Sequence, residues 1–224
     1  MSEMTLVRHG QASLGAENYD ELSPLGVQQA VWLGEYFAER EMVFDQVVVG
    51  GQHRHRQTLD GISGALSLPP PDAPDTRLNE LDFQCLLAAF LAHNPNHPRP
   101  ARGDVRGIFS TFKLAMLAWG DGAFGDEMPE TAQQFIDRVG HFVEAITQQS
   151  SARNILVVSS GGPISTVLKH TMGFGLDTLV GLQVQGRNTG LSHLYFNQSS
   201  TYVTSFNNVP HLDHPDRLHA ITHA

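Results

Sequence analysis

The chain has 224 residues, with 14 Lys and Arg against 23 Asp and Glu for a formal net charge of −9, one cysteine and 12 histidines. That length carries one large core, or a core with an insert, without a disulfide or metal to hold it. The acidic balance argues against nonspecific nucleic-acid binding and against a polybasic membrane contact, both of which need a basic field.

A single cysteine, Cys85, excludes an intramolecular disulfide framework and suits a reducing compartment. The first residues carry an acid, Glu3, and no basic flank, unlike a secretory leader. No apolar run approaches the ~20 residues of a membrane span. The expectation is a soluble, cytoplasmic protein with no membrane contact. Nothing in the sequence speaks to its oligomeric state.

In chain order, residues 4–7 read as a strand that stops at Arg8-His9-Gly10, followed by a polar loop. Ser23-Pro24 starts a helix, with a serine cap and proline at the first helical position. Val27, Ala30, Val31, Gly34 and Phe37 then keep helical spacing. Residues 44–49 read as a strand, whose β-branched run Val47-Val48-Val49 suits burial on both faces, and stop at Gly50-Gly51. A helix is expected over 54–66, ended by prolines 69–71. The middle is less regular: an apolar stretch at 85–91, a proline-rich loop, and helices over 105–119 and 130–148. Residues 154–158 form a third buried strand, ending in Ser159-Ser160-Gly161-Gly162, with Pro163 where a helix starts. Residues 191–196 and 202–206 are two more strand-like runs. Strands alternating with helices predict an α/β fold with a mostly parallel sheet.

Ligands of open α/β sheets sit beyond the carboxyl ends of the strands. Three buried strands end here in Arg8-His9-Gly10, in Gly50-Gly51 before Arg54, and in Ser159-Ser160-Gly161-Gly162. If those strands are neighbours, two arginines, a histidine, a serine and several glycines converge. Guanidinium forks and glycine-rich backbone at a helix N-terminus both suit phosphate. A neutral imidazole among them can attack phosphorus.

The same residues resemble the histidine phosphatase superfamily, the phosphoglycerate-mutase-like enzymes. Val7-Arg8-His9-Gly10-Gln11 is similar to its signature, and Leu22 to Ala30 to its first helix. Arg54-His55-Arg56-Gln57-Thr58 resembles its second motif, residues 77–83 the segment holding its acid, and Pro129-Glu130-Thr131 to Arg138 a later helix. The resemblance covers most of residues 4–196. It implies a single domain over 1–224, a three-layer α/β/α fold, and a helical, lid-like insert over the site at about 84–128. It makes His9 the nucleophile and Glu80 the general acid, with Asp82 as its nearest rival. Phosphate is bound by Arg8, Arg54, Ser160 and Gly161. It implies no metal and no cofactor, and a small phosphorylated substrate. Arg56, Arg77 and Arg138 are read as structural.

The sequence departs from that pattern at several points. Ser160 stands where the family has its second histidine, and losing such a donor costs roughly 10²–10³ in rate. The Gly161 and Gly162 amides are expected to share its load. Gly50-Gly51 replaces Ser-Pro, Gly15 an asparagine and Gln84 a glycine, while His55 follows Arg54 where relatives carry a small residue. Neither His53 nor His55 is taken to replace the missing imidazole, and the remaining histidines are expected to be exposed. Arg99, Arg102 and Arg106 are read as a solvated loop, with a lid over an anionic substrate as the alternative. Two functions follow: a metal-independent phosphomonoesterase working through phosphohistidine, or a degenerate relative that binds a phosphorylated ligand with little turnover. Mutase chemistry is set aside, because 84–128 lacks the mutase-type sequence. With the net charge at −9, encounter with a phosphate dianion is slowed, so kcat/KM is predicted to rise with ionic strength. A flat or falling salt dependence would contradict this.

Overall fold

The computed structural model describes residues 1–13, 20–101 and 103–223; Gly15 and Arg102 lie outside the described residues. Five strands, β1 (Ser2–Arg8), β2 (Gln46–Val49), β3 (Asn154–Ser159), β4 (Leu191–Phe196) and β5 (Thr201–Asn208), form one sheet in the order β2-β3-β1-β4-β5. β1 and β2 both pair with β3 in parallel, whereas β4 is antiparallel to β1 and to β5. Only β4 therefore runs against the rest. The sheet is mostly parallel, as the alternation of elements predicts.

Side chains alternate across each buried strand, and each face collects its own core. Val47, Val49, Leu156, Val158 and Val7 face α1 (Pro24–Glu39) and α2 (His53–Ser63) through Leu33, Phe37, Leu59 and Ile62. Met4, Leu6, Val48, Ile155 and Val157 face the opposite layer. That layer holds α3 (Phe83–His93), α4 (Val105–Gly120), α5 (Ala132–Gln149), α6 (Gly161–Met172) and α7 (Leu176–Gln185). The result is the expected three-layer α/β/α sandwich. Leu86, Phe90, Phe112, Met116 and Trp119 of α3 and α4 belong to the same apolar cluster as the sheet. Among the described residues, no helix is long and apolar enough to cross a membrane.

Local chemistry sets the helix boundaries. Ser23 accepts a hydrogen bond from the Gly26 amide and Pro24 opens α1, as its sequence predicts. Asp82 caps α3 by accepting from the Cys85 amide at 2.9 Å, so Glu80's rival is committed to a helix terminus. α2 stops at Ser63, short of the expected residue 66, because Gly64 takes the cap. α7 has no counterpart in the sequence reading. Its buried Leu179, Val180 and Gln183 do keep helical spacing, but Gly175 and Gly186 bracket it and Gly181 lowers its helix propensity.

The end of β1 and the start of α1 touch backbone to backbone. A Cβ on Gly26 would lie 2.1 Å from the Gln11 carbonyl oxygen, and one on Gly10 would lie 2.4 Å from that of Gly26. Gln29 reaches back from α1 to accept from the Gln11 amide at 2.8 Å. The Gly and Gln of this helix thus hold the loop that carries His9. Gly26→Ala is predicted to destabilise the protein by about 1–3 kcal/mol through overpacking, despite alanine's better helix propensity. An unchanged or raised urea midpoint would contradict the close approach.

Candidate active site

The parallel register aligns the three strand ends. Arg8 pairs with Ser159 and Val49 with Val158, while the Gly50 amide donates to the Val158 carbonyl and that of His9 to the Ser159 carbonyl. His9, Gly50 and Ser160 therefore emerge side by side, and α2 and α6 start directly beyond them.

His9 is 5% exposed, and its Nδ1 lies 2.7 Å from the Gly10 carbonyl oxygen. A carbonyl only accepts, so Nδ1 carries the proton and Nε2 is left as a bare lone pair. Burial holds the imidazole well below its usual 6.5, reinforced by the charges of Arg54 and Arg8 and by the His55 ring, against an opposing pull from the Gly10 carbonyl. The ring is thus neutral at pH 7. Its backbone is clamped: Asn188 Nδ2 and the Thr189 amide both donate to the His9 carbonyl, and the Gly10 amide donates to Thr58 Oγ1 at 3.0 Å.

Arg54 is 4% exposed near the N-terminus of α2. Its Nη1 donates to Asp20 Oδ1 at 2.8 Å, and its Nη2 to Gln52 Oε1 at 2.8 Å and to Ser160 Oγ at 3.3 Å. Asp20 also accepts from the His53 amide at 2.8 Å, so one carboxylate caps α2 and orients its arginine. Arg56, read as structural from the sequence, points outward to Asp60. Arg8 donates through Nη1 to the carbonyls of Gly186 and His223. It lies beside Gly161, the first residue of α6, where the helix leaves its first amides without intrahelical acceptors.

Glu80 is anchored at three points. Its amide donates to Gln52 Oε1, while its carboxylate accepts from the Leu81 amide at 3.1 Å and the Gly162 amide at 2.9 Å. Gly162 tolerates this because it has no Cβ, which would fall 2.1 Å from Glu80 Oε1. The Gly162 amide is consequently committed to Glu80 and does not share the load of Ser160, contrary to expectation. Gln52 ties Arg54 to Glu80, although nothing in the sequence marks it. The segment before Glu80 is pinned to the sheet by Ser159, whose hydroxyl donates to the Leu78 carbonyl at 2.8 Å.

Two histidine expectations fail. His55 is fully buried, faces the site, and places Nε2 2.7 Å from Ser160 Oγ. Its ring centroid lies 5.8 Å from that of His9. His211 is buried as well, with Nε2 2.8 Å from Thr189 Oγ1. Ser160 itself makes no capping bond to α6, so its hydroxyl is not spent on the turn. Arg77 and Arg138 pair with Asp75 and Glu130, as structural residues do.

The structure thus gathers a buried neutral imidazole, two guanidiniums near enough to act on it, and a carboxylate at the N-terminus of α6, all at the carboxyl ends of parallel strands. The sequence profile of the histidine phosphatase superfamily (branch 1) matches residues 4–96 and 103–209, and the chain belongs to that superfamily. No curated protein sequence matches. Among solved structures the chain resembles Bacillus stearothermophilus YhfR, at 16% identity and TM-score 0.69, with 94% of this chain and 99% of that one covered. It also resembles a phosphoserine phosphatase from Entamoeba histolytica, at 20% identity and TM-score 0.66, with 95% and 100% covered. An alpha-ribazole phosphatase from Shigella flexneri matches at 20% identity and TM-score 0.66, with 92% and 96% covered.

Burial brings both His55 and His211 down to about 3, with Arg54 and Arg217 respectively adding to the shift. Their folded-state values lie below the unfolded value near 6.5, so unfolding takes up protons between the two. Stability is therefore full above pH 6.5 and falls as the pH drops towards 3, by about 1.4 kcal/mol per pH unit for each ring. Urea unfolding between pH 7 and 5 should show this loss, and His211→Gln should reduce the slope by one ring's share. A pH-independent midpoint over that range would contradict it.

Proposed function

We propose that the protein hydrolyses phosphomonoesters through a phosphohistidine on His9, without a metal ion, and that its substrate is a small phosphorylated metabolite of the reducing cytoplasm. The observation that carries this reading is the state of His9. Its Nδ1 proton is held by Gly10, its Nε2 is bare, and Arg8 and Arg54 stand close enough to shift its titration.

In the first step the Nε2 lone pair forms a bond to phosphorus and the P–O bond to the leaving group breaks. Glu80 in its acid form gives the departing oxygen its proton. Arg8, Arg54, Ser160 and the Gly161 amide bind the phosphoryl oxygens, so preorganised donors meet the charge spreading over them. The Gly10 carbonyl accepts from Nδ1–H throughout and steadies the positive charge of the phosphorylated ring. In the second step water attacks phosphorus, Glu80 takes its proton, the N–P bond breaks, and inorganic phosphate leaves behind neutral His9. Two of the structural relatives are a phosphoserine phosphatase and an alpha-ribazole phosphatase, which supports the same reaction class. We assign substrate selection to residues 84–128, as an insert over the site, because such segments vary where a scaffold is kept.

Acid quenching during turnover of a phosphate-labelled aryl ester should trap label on the wild type and none on His9→Ala. Arg54→Ala should lower kcat/KM by about 10²–10³. Glu80→Gln should cost about 10²–10⁴ on an alkyl phosphate, whose leaving group needs a proton, and much less on p-nitrophenyl phosphate. Label persisting in His9→Ala would refute the proposed nucleophile. Inorganic phosphate binding with neither label nor turnover would assign the degenerate, ligand-holding function instead.

A further inference from the structure

The two peptide units that flank Gly10 set how His9 presents its ring. The His9 carbonyl accepts from Asn188 Nδ2 at 3.3 Å and from the Thr189 amide, while the Gln11 amide donates to Gln29 Oε1 at 2.8 Å. The Gln11 N–H and the Gly10 C=O belong to one planar trans unit and point opposite ways. Holding the first therefore aims the second at His9 Nδ1. Asn188 and Gln29 are both fully buried, and both meet Thr222. Gln29 Nε2 donates to Thr222 Oγ1 at 3.0 Å and to the Ala220 carbonyl at 2.7 Å. Thr222 Oγ1 in turn donates to Asn188 Oδ1 at 2.8 Å, and the Thr222 carbonyl accepts from the Asn188 amide at 2.9 Å.

The direction of each bond in this chain is fixed from its two ends. A carbonyl only accepts, so Asn188 turns Nδ2 to His9 and Oδ1 to Thr222. A backbone N–H only donates, so Gln29 turns Oε1 to Gln11 and Nε2 to Thr222. The group between the two carboxamides has to accept from one and donate to the other, which a hydroxyl does. We infer that Thr222 is a positioning residue for the nucleophile, holding both peptide units beside Gly10 and through them the direction and tautomer of the His9 ring. Its neighbours make 220–223 a strap across this corner of the fold. Ala220 and Ile221 pack with Leu25 and Trp32 of α1 and with Val209 and Leu212, and the His223 carbonyl accepts from Arg8 Nη1 at 2.9 Å. No motif marks Thr222, because its side-chain partners lie 34 and 193 residues away.

The inference rests on the phosphatase reading for its kinetic effect, but not for its effect on the resting ring. Thr222→Val keeps the shape and removes the hydroxyl, whereas Thr222→Ser keeps the hydroxyl. On p-nitrophenyl phosphate, Thr222→Val should lower kcat by about 10–100-fold with KM changed much less, as a slightly misplaced nucleophile does. Thr222→Ser should recover most of that loss. Ile146→Val, in the opposite helical layer, should cost comparable stability and leave the kcat of the folded enzyme unchanged. Nitrogen NMR of histidine-labelled protein reads the ring without turnover, with the His9 signals identified by their loss in His9→Ala. The wild type and Thr222→Ser should show one His9 tautomer, protonated at Nδ1, and Thr222→Val a mixture or broadened signals. A Thr222→Val enzyme as fast as the wild type would overturn the inference. So would a loss of kcat with the His9 signals unchanged, or one matched by Ile146→Val. A wild type that hydrolyses no phosphomonoester would remove the phosphatase reading alone. The His9 signals would then decide, a change in Thr222→Val supporting the positioning role and its absence overturning it.

Discussion

A guanidinium buried to 4% exposure keeps its charge, because its proton is never released at accessible pH. Everything around Arg54 follows from that constraint. An unpaired buried charge costs several kcal/mol, so the chain surrounds it with oxygen from three separate places: Asp20 from the loop before α1, Gln52 from the end of β2, and Ser160 from the end of β3. Each of those residues has a second task. Asp20 caps α2, Gln52 holds the Glu80 backbone, and Ser160 meets His55. Satisfying one cation thereby fixes the relative positions of two strand ends, the loop before α1 and the Glu80 backbone.

Burial governs the imidazoles, and the same charge adds to it. His9 and His55 are buried close to Arg54, and protonating either would put a second positive charge in a poorly solvated space. Both stay neutral, which for His9 is what nucleophilic attack requires. The stability given up as pH falls below 6.5 and the readiness of His9 for chemistry therefore have a common origin. A site that kept its histidines solvated would be more tolerant of acid and worse at holding a neutral nucleophile.

Much of this was legible in the sequence, where local rules decide. Short apolar runs that stop at glycine or polar residues named β1, β2 and β3. Their ends converge if the strands are neighbours, which the sheet order makes them, and the serine cap with Pro24 located α1. The motif residues beyond His9 and Arg54 turn out to be brackets. Gly26 and Gln29 hold the His9 loop, Gln57 accepts from the Leu22 amide, and Thr58 accepts from the Gly10 amide. What could not be read depends on contacts distant in sequence. Gln52 and Asp20 carry no pattern of their own, and their roles appear only when α2 is laid against Glu80 and the loop before α1. His211 reads as a tail histidine until the segment after β5 folds back and buries it against Thr189. The Gly162 amide is free in any local reading and is claimed by a carboxylate 82 residues away.

His55 ties together three positions that the sequence presents as separate departures. Taken singly, Ser160 is a missing donor, His55 an oversized neighbour of Arg54, and Gly50 a lost side chain. In space they are one contact, since the imidazole needs the room that glycine leaves and the short hydroxyl that serine offers. Substitutions at touching positions do not have independent energies. A serine at 160 opposite a small residue at 55 would leave a cavity, whereas a histidine at both positions would overlap. The three departures are therefore intelligible only together, as one packed contact between α2 and the ends of β2 and β3.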